Sequence, residues 1–504
     1  MAGSTDTKTR GSKDAGRAGG SSVRRRVLIV VPLVLVLALA GAGGVGWRTG
    51  RLTEWWHDLR GGGAASGPAA VAAPKGVDAP GVVRPAVVAT AVDGALRPRA
   101  AKVRAAIWAD LHKHVLGKHV LALVAPLTGS GTTFRYDSSG RFLATPASTT
   151  KLVTTSSTLF ALGAQHTFKT RTVLSGSGSS HRLTLIGGGD PYLASTPGQD
   201  APGPTYDLHR ADVTTLGIRA AAALKRQGVH RVRLGYDESL FTGPSVNPRW
   251  EPDYVPSGEV SPTTSLWVDE GHSTFHGRLY ADPAVTAALY LAQALTQHGI
   301  HVLGAPTRTV APAGAHPLVS VSSAPLGEIV QRILQVSDND GAEVLLRQLG
   351  IAEEGRGSFA AGRRAVRQVL AANDIPMQGS VLYDGSGLSR DDLMSPGLLV
   401  DVLRFDARRD QPNQRAVLLG LPVAGFNGSL IESSGGPTPQ GWGRVRGKTG
   451  TLTGVSALAG IAVGRDGVPM VFALMTDHIP PGKDGLARIA RDDTASALGA
   501  CRCG

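Results

Sequence analysis

Cysteine is nearly absent from this chain of 504 residues: Cys501 and Cys503 are the only two, both in the last four positions. That excludes a disulfide framework and a cysteine-ligated metal centre. A Cys-x-Cys bridge closes a tight ring, so the pair reads as an ordinary tail. Aromatics are scarce at 5% and charged residues reach only 18%, against 42% apolar, which describes a globular body with a core of small aliphatic contacts. No stretch of Lys and Arg is interleaved with aromatics, so the formal charge of +13 is not a grip on nucleic acid. Five of those thirteen charges sit in the first 26 residues, where seven basic side chains face only Asp6 and Asp14. The others are scattered singly, as on a basic surface lying beside anionic wall polymers or lipid headgroups. His112, His114 and His119 cluster without carboxylate or thiolate partners at ligand spacing, and there is no HExxH, so they read as surface histidines at a helix end and no metal or cofactor is expected.

One long uncharged run does exist, Val27 to Trp47. It just reaches the roughly 20 residues that a bilayer-spanning helix needs. Arg24, Arg25 and Arg26 precede it and hold the N-terminus inside by the positive-inside rule, which makes 1–26 a basic cytoplasmic leader and 27–47 a transmembrane anchor. The competing reading is a cleaved signal segment with Ala38-Leu39-Ala40 as its small-x-small site. Both put the body on the outer face of the membrane. Residues 48–97 alternate Gly, Ala and Pro without helical or strand period and read as a flexible spacer.

The texture of the remainder divides it into 98–165, 166–310 and 311–504. A helix is expected over Ala101 to Val115, strands over His119 to Val124 and Thr132 to Tyr136, and a helix from Ser148. From 166 to 310, short β-like runs (Phe168 to Leu174, Arg182 to Ile186, Val229 to Leu234) alternate with turn clusters and two helical pieces, Ala211 to Gln227 and Val285 to His298. This reads as one or two inserted modules. A helix over Leu326 to Val336, another from Gly341, and apolar strands over Val455 to Val463 and Val468 to Met475 complete the pattern.

Three short motifs carry chemistry. In Ser148-Thr149-Thr150-Lys151, a spacing of three on a helix sets the lysine amine against the hydroxyl. Lysine is one of the bases that activates a serine nucleophile, provided that burial and a neighbouring cation strip its proton. A shift of roughly 3 pKa units amounts to about 4 kcal/mol. In Ser337-Asp338-Asn339, between two helices, a hydroxyl and a carboxamide two apart face one cleft; Ser337 suits proton relay to a leaving amine and Asn339 suits a substrate carbonyl. Ser245-Val246-Asn247 repeats that spacing, but in a turn-rich segment that no helix positions. In Lys448-Thr449-Gly450-Thr451, a fixed cation and a hydroxyl suit a carboxylate, and the Thr451 and Ser148 N–H groups suit an oxyanion hole. A phosphate-binding loop is excluded, because the position five before Gly447 is Trp442. Each motif alone is as well explained by a helix cap, a surface lysine or a turn before a strand.

Taken together and in this order, they match the S-x-x-K, S-D-N and K-T-G trio of penicillin-binding proteins and class A β-lactamases. With PASTTKL at Ser148, GGGDP at Gly187, SDNDGAEVLLRQLG at Ser337, DGSGLSRDDLMSP at Asp384 and KTGTLTGVSALAG at Lys448, residues 100–500 resemble the class C low-molecular-mass penicillin-binding proteins, serine D-Ala-D-Ala carboxypeptidases and endopeptidases. The resemblance implies an α+β transpeptidase/β-lactamase-like domain, with an antiparallel sheet and helical cluster, whose halves (98–165 and 311–504) flank an inserted β-rich region. That also accounts for the 189 positions between Ser148 and Ser337. It implies peptidoglycan peptides ending in D-Ala-D-Ala as substrate and β-lactams as inhibitors. Ser148, Lys151, Ser337, Asn339 and Lys448 would be catalytic; Thr449, Gly450 and Thr451 would bind substrate. A β-lactamase-like hydrolase with the same groups and a catalytically silent wall-binding protein remain the alternatives.

Overall fold

The computed structural model describes residues 95–504 apart from 199–207, 274–277 and 432–437. The expected leader, the 27–47 segment and almost all of the spacer lie outside the described residues. Among those residues no helix is long and apolar enough to cross a membrane. All the elements below belong to one compact unit within 90–504.

The first sheet has five antiparallel strands in the order β2-β1-β11-β10-β9: β1 is His119–Pro126, β2 Phe134–Asp137, β9 Val445–Leu452, β10 Val455–Val463 and β11 Pro469–Asp477. Its central strands are apolar at successive positions because both faces are covered. On β1, Val120, Ala122 and Val124 join a core with helices α1 (Ala100–Leu111) and α10 (Asp484–Ala500). Leu121, Leu123 and Ala125 face the opposite core. There α2 (Thr150–Leu162) packs among α5 (Leu326–Val336), α6 (Asn339–Glu354), α7 (Phe359–Ala372), α8 (Pro396–Asp406) and α9 (Arg415–Gly420). Helix α2 is rich in buried hydroxyls, and most bond locally or to a neighbour: Thr155 to the Lys151 carbonyl (2.6 Å), Thr158 to Thr154 (2.8 Å), Thr154 to Gly385 (2.8 Å), Ser156 to Asp406 (2.6 Å). A threonine-rich helix therefore sits at the centre with few orphaned groups.

The second sheet comes entirely from residues 169–322, in the order β6-β5-β4-β3-β8, where β3 is Lys169–Ser175, β4 Arg182–Ile186, β5 Arg231–Asp237, β6 His301–Val302 and β8 His316–Ser322; β7 (Thr307–Arg308) pairs with β5. β8 begins at His316 and pairs with β3, so this sheet extends beyond the 166–310 region expected from sequence. The sheet is mixed, with β4 parallel to β5 and β3 antiparallel to both β4 and β8. Helices α3 (Val213–Arg226) and α4 (Pro283–Gln297) cover one face, over Leu183, Leu185, Val232 and Leu234. The Asp212 and Asp282 carboxylates cap them, and Pro283 opens α4, all local starting signals.

Two expectations change. Cys501 and Cys503 are joined by a disulfide of 2.12 Å rather than forming a plain tail. Their Cα atoms are 5.3 Å apart, within reach of a bridge, and the tail folds back so that Arg99 N–H donates to the Cys503 carbonyl (2.7 Å) and Gly504 N–H to Asp466 (2.8 Å). His112 and His114 are exposed, but His119 is buried on β1, where its ring bridges the Asp477 carboxylate and the Arg141 carbonyl. The period of two on β1 turns it inward, and Asp477 pairs with it across the sheet.

Candidate active site

Thr145 N–H donates to that same Asp477 (3.1 Å), which fixes the start of the segment carrying Ser148 to β11. Ala147–Thr149 form a single 3₁₀ turn and α2 begins at Thr150, so Ser148 lies just before the helix rather than on it. Ala147 has φ +46°, a left-handed backbone that costs a non-glycine residue roughly 1–2 kcal/mol. It is held there by close packing. A side chain at Gly387 would overlap the Ala147 carbonyl, and one at Gly450 would come within 2.5 Å of the Pro146 carbonyl and 3.1 Å of the Ser148 nitrogen.

Lys151 is fully buried, and its Nζ lies 2.9 Å from Ser148 Oγ, 2.7 Å from Asn339 Oδ1 and 2.8 Å from the Ser386 carbonyl. Burial lowers its pKa to about 8, against the opposing pull of Asp384, Asp338, Glu343 and Asp340. Lys448, equally buried, donates to Ser337 Oγ (2.8 Å) and the Thr449 carbonyl (2.7 Å). Burial depresses it well below the lysine range, with Lys151 and then Arg491 pushing the same way. Of the two causes expected from sequence, burial is the dominant one at Lys151, and the carboxylates around it pull the other way. Repulsion between the two ammonium groups is mutual and weakens the charged form of each.

Ser337 ends α5 in left-handed conformation (φ +62°), and Asp338 caps α6 by accepting from Gly341 N–H (3.0 Å). Asn339, the first residue of α6, gives Oδ1 to Lys151 and donates from Nδ2 to the Glu259 carbonyl (2.7 Å). The competing Asn247 is buried elsewhere, donating to the Tyr383 carbonyl (2.8 Å) and accepting from Arg249 N–H (3.0 Å), which is a turn-holding role. Lys448, Thr449, Gly450 and Thr451 lie on β9, the free edge of the first sheet beside the Ser148 turn. Ser148, Lys151, Ser337, Asn339, Lys448 and the β9 edge thus converge on one cleft.

Several groups there fall outside the site residues expected from sequence, although Glu343 and the Asp384 loop lie in segments that carry the resemblance. Thr449 Oγ1 lies 2.7 Å from Ser429 Oγ, on a short 3₁₀ turn (Gly428–Leu430) that nothing in the local pattern marks. The loop Asp384–Ser389 presents the Ser386 carbonyl to Lys151 and is pinned from below. Glu343 accepts N–H bonds from Gly385 (3.0 Å) and Ser386 (2.8 Å); Asp384 accepts from Gly387 (2.7 Å), Ser389 (2.6 Å) and Trp250 Nε1 (2.8 Å). Burial pushes Glu343 up to about 8 and raises Asp384 as well. Two side-chain sets among the described residues have the closeness a metal ion requires, His119/Asp477/His478 and Glu270/Asp338/Asp340. In the first, both His119 nitrogens are already engaged. In the second, Asp338 accepts from Tyr192 and Gly341, and Asp340 from Ser261 N–H, while Glu270 Oε1 is buried without a hydrogen-bond partner.

Residues 103–281 and 274–496 match the D-Ala-D-Ala carboxypeptidase 3 (S13) family. The chain belongs to that family. A carboxypeptidase of Mycobacterium tuberculosis is 33% identical over 443 residues, covering 86% of this chain and 91% of its own length. The carboxypeptidase DacB of Mycolicibacterium smegmatis is 32% identical, over 71% and 76% of the two chains. Penicillin-binding protein 4 of Haemophilus influenzae shares the fold, with a TM-score of 0.62 over 78% of this chain and 97% of that one at 20% identity. This S13 member is accordingly a serine-type D-Ala-D-Ala carboxypeptidase with the α+β penicillin-binding fold.

Proposed function

We propose that Ser148 is the nucleophile of this carboxypeptidase and Lys151 its base. The observation that carries the reading is the 2.9 Å approach of a buried amine, its pKa lowered by burial to about 8, to the Ser148 hydroxyl. Ser148 Oγ attacks the carbonyl of the penultimate D-Ala and its proton passes to Lys151. The oxyanion forms against the N–H groups of Ser148 and Thr451. Ser337, hydrogen-bonded to Lys448, relays a proton to the amine of the departing D-Ala, and water then cleaves the ester. Asn339 holds the substrate amide carbonyl. Lys448 and Thr449 hold the terminal carboxylate, and Gly450 lets the β9 backbone approach.

The same site would be acylated by β-lactams and would open a peptidoglycan cross-link in which a D-Ala carbonyl is joined to the amine of a second stem. Residues 27–47 would hold the body at the outer face of the cytoplasmic membrane, or direct its secretion once cleaved. Residues 166–322 would act as a module inserted into the catalytic domain. Incubation with fluorescent penicillin tests the assignment: one label per chain is expected, lost in Ser148→Ala together with release of D-Ala from a D-Ala-D-Ala peptide. Labelling that survives in Ser148→Ala would refute it. Rapid turnover of a chromogenic cephalosporin would favour the β-lactamase alternative, and no acylation at all the silent one.

A further inference from the structure

Helices α3 and α4 cover only one face of the second sheet. Alternation along the strands sends a different set of side chains to the other: Lys169, Arg171 and Val173 on β3, Arg182, Thr184 and Ile186 on β4, Arg231 and Arg233 on β5. Lys169, Arg171, Arg231 and Arg233 are exposed, and Arg182 is half-buried, donating to Thr307 Oγ1 (3.3 Å). The register puts Arg182 directly beside Arg233, and Arg231 beside His301. Like charges set opposite one another across a strand pair destabilise a sheet, so this arrangement has a standing cost.

Nothing on the sheet offsets that cost. Across β3, β4, β5 and β8 the one acidic residue is Asp237, and its carboxylate is occupied by the N–H groups of Ser239 (2.9 Å) and Ala311 (2.7 Å). The nearby Glu238 and Asp282 are both paired with Arg308. Among the described residues none of the five cations enters an ion pair. A groove of about 940 Å³ lies at one end of this face, lined by Val173, Ile186, Lys169, Arg171, Asp237 and Pro312, while Arg182, Arg231 and Arg233 continue the basic surface beyond it. Gln348 of α6 also lines it, donating to the carbonyls of Gly188 (2.8 Å) and Gly189 (3.0 Å). Nine residues along the same helix stands Asn339, about 14 Å away at 1.5 Å per residue.

We propose that this face binds a linear polyanion, a polymer with phosphate groups repeated along its chain, and so tethers the enzyme to an anionic wall polymer while the cleft works nearby. Charge complementarity selects the occupant: five unneutralised cations are spread over roughly 20 Å of sheet, which suits a chain of regularly spaced anions. Lys169 and Arg171 line the groove, where a strand-like ligand reaches them more readily than a planar bilayer surface does. The inference does not rest on the assignment of Ser148.

Titration of the full chain against fluorescein-labelled long-chain polyphosphate, followed by anisotropy, tests it. The double variant Arg171→Glu/Arg233→Glu is compared with Arg409→Glu/Arg502→Glu, which changes the net charge equally at exposed arginines elsewhere. The expected result is a loss of at least about tenfold in affinity for the first pair and less than about twofold for the second, with a log–log salt slope near −3.5 for five contacts in the unaltered chain. Hydrolysis of a short soluble D-Ala-D-Ala peptide stays unchanged in both. If the first pair fails to fold, Arg171→Gln/Arg233→Gln takes its place. Equal losses in the two variants, or no binding at physiological salt, would overturn the proposal. So would tighter binding to anionic phospholipid vesicles lost in the same variant, which would make the face a membrane-contact surface.

Discussion

At the scale of single residues the site turns on where protons sit. In the proposed step only a free amine at Lys151 accepts the Ser148 proton, and because its pKa lies near 8, kcat/KM for acylation should climb about tenfold per pH unit below 8 and level off above it. Glu343 raises that pKa, so Glu343→Gln, which keeps an acceptor for Gly385 and Ser386, should move the midpoint of the pH profile below 8. An unchanged midpoint would show that Glu343 only braces the loop. Ser429 sits behind the hydroxyl proposed to hold the terminal carboxylate and fixes its rotor. Ser429→Ala should raise KM for a carboxylate-terminated peptide by about 2- to 13-fold, for one hydrogen bond between neutral hydroxyls, and leave kcat nearly intact. The same substitution should scarcely alter kinetics on a peptide whose terminus is an amide.

At the scale of elements, the cleft exists because a strained turn is clamped between two glycines. Gly450→Ala would drive a methyl group into the Pro146 carbonyl and the Ser148 nitrogen. The expected outcome is a loss of penicillin acylation rate of about a hundredfold or more from misplacing the nucleophile by about 1 Å, in a protein that still folds. Circular dichroism and stopped-flow acylation together distinguish this from unfolding. Helix α6 supplies both the S-D-N turn and a wall of the polyanion groove. Its cap, Asp338, serves two purposes, accepting from Gly341 N–H and from the Tyr192 hydroxyl (2.5 Å).

At the scale of the whole molecule, an unusual number of acids are buried. Glu270, like Glu343, is pushed up to about 8 by burial. A carboxyl whose folded pKa exceeds its unfolded value stabilises the fold fully below the unfolded value near 4.5, and that contribution disappears as pH rises through 8. The stability of the unaltered chain relative to Glu270→Gln should therefore decline from about pH 5 to about pH 8 and level off above it in urea unfolding. A difference that stays flat with pH would show that Glu270 is ionised in the fold.

Sequence alone determined the identities and order of Ser148, Lys151, Ser337, Asn339 and Lys448, because their chemistry is written in spacings of two or three residues that a single turn or helix end translates directly into proximity. It also determined β1, β10 and β11 of the first sheet, whose continuous apolar runs announce burial on two faces, whereas β9, which carries Lys448, has no such run and becomes a strand only by pairing with β10. Only the tertiary structure decided that Ser386, Glu343, Ser429 and Glu259 share that cleft, that His119 is inside, and that the two cysteines are bridged. Lys151 meets Asn339 across 188 positions and the Ser386 carbonyl across 235. Contacts that distant arise from packing two sheets and a helical cluster together, a process that leaves no local periodicity to read.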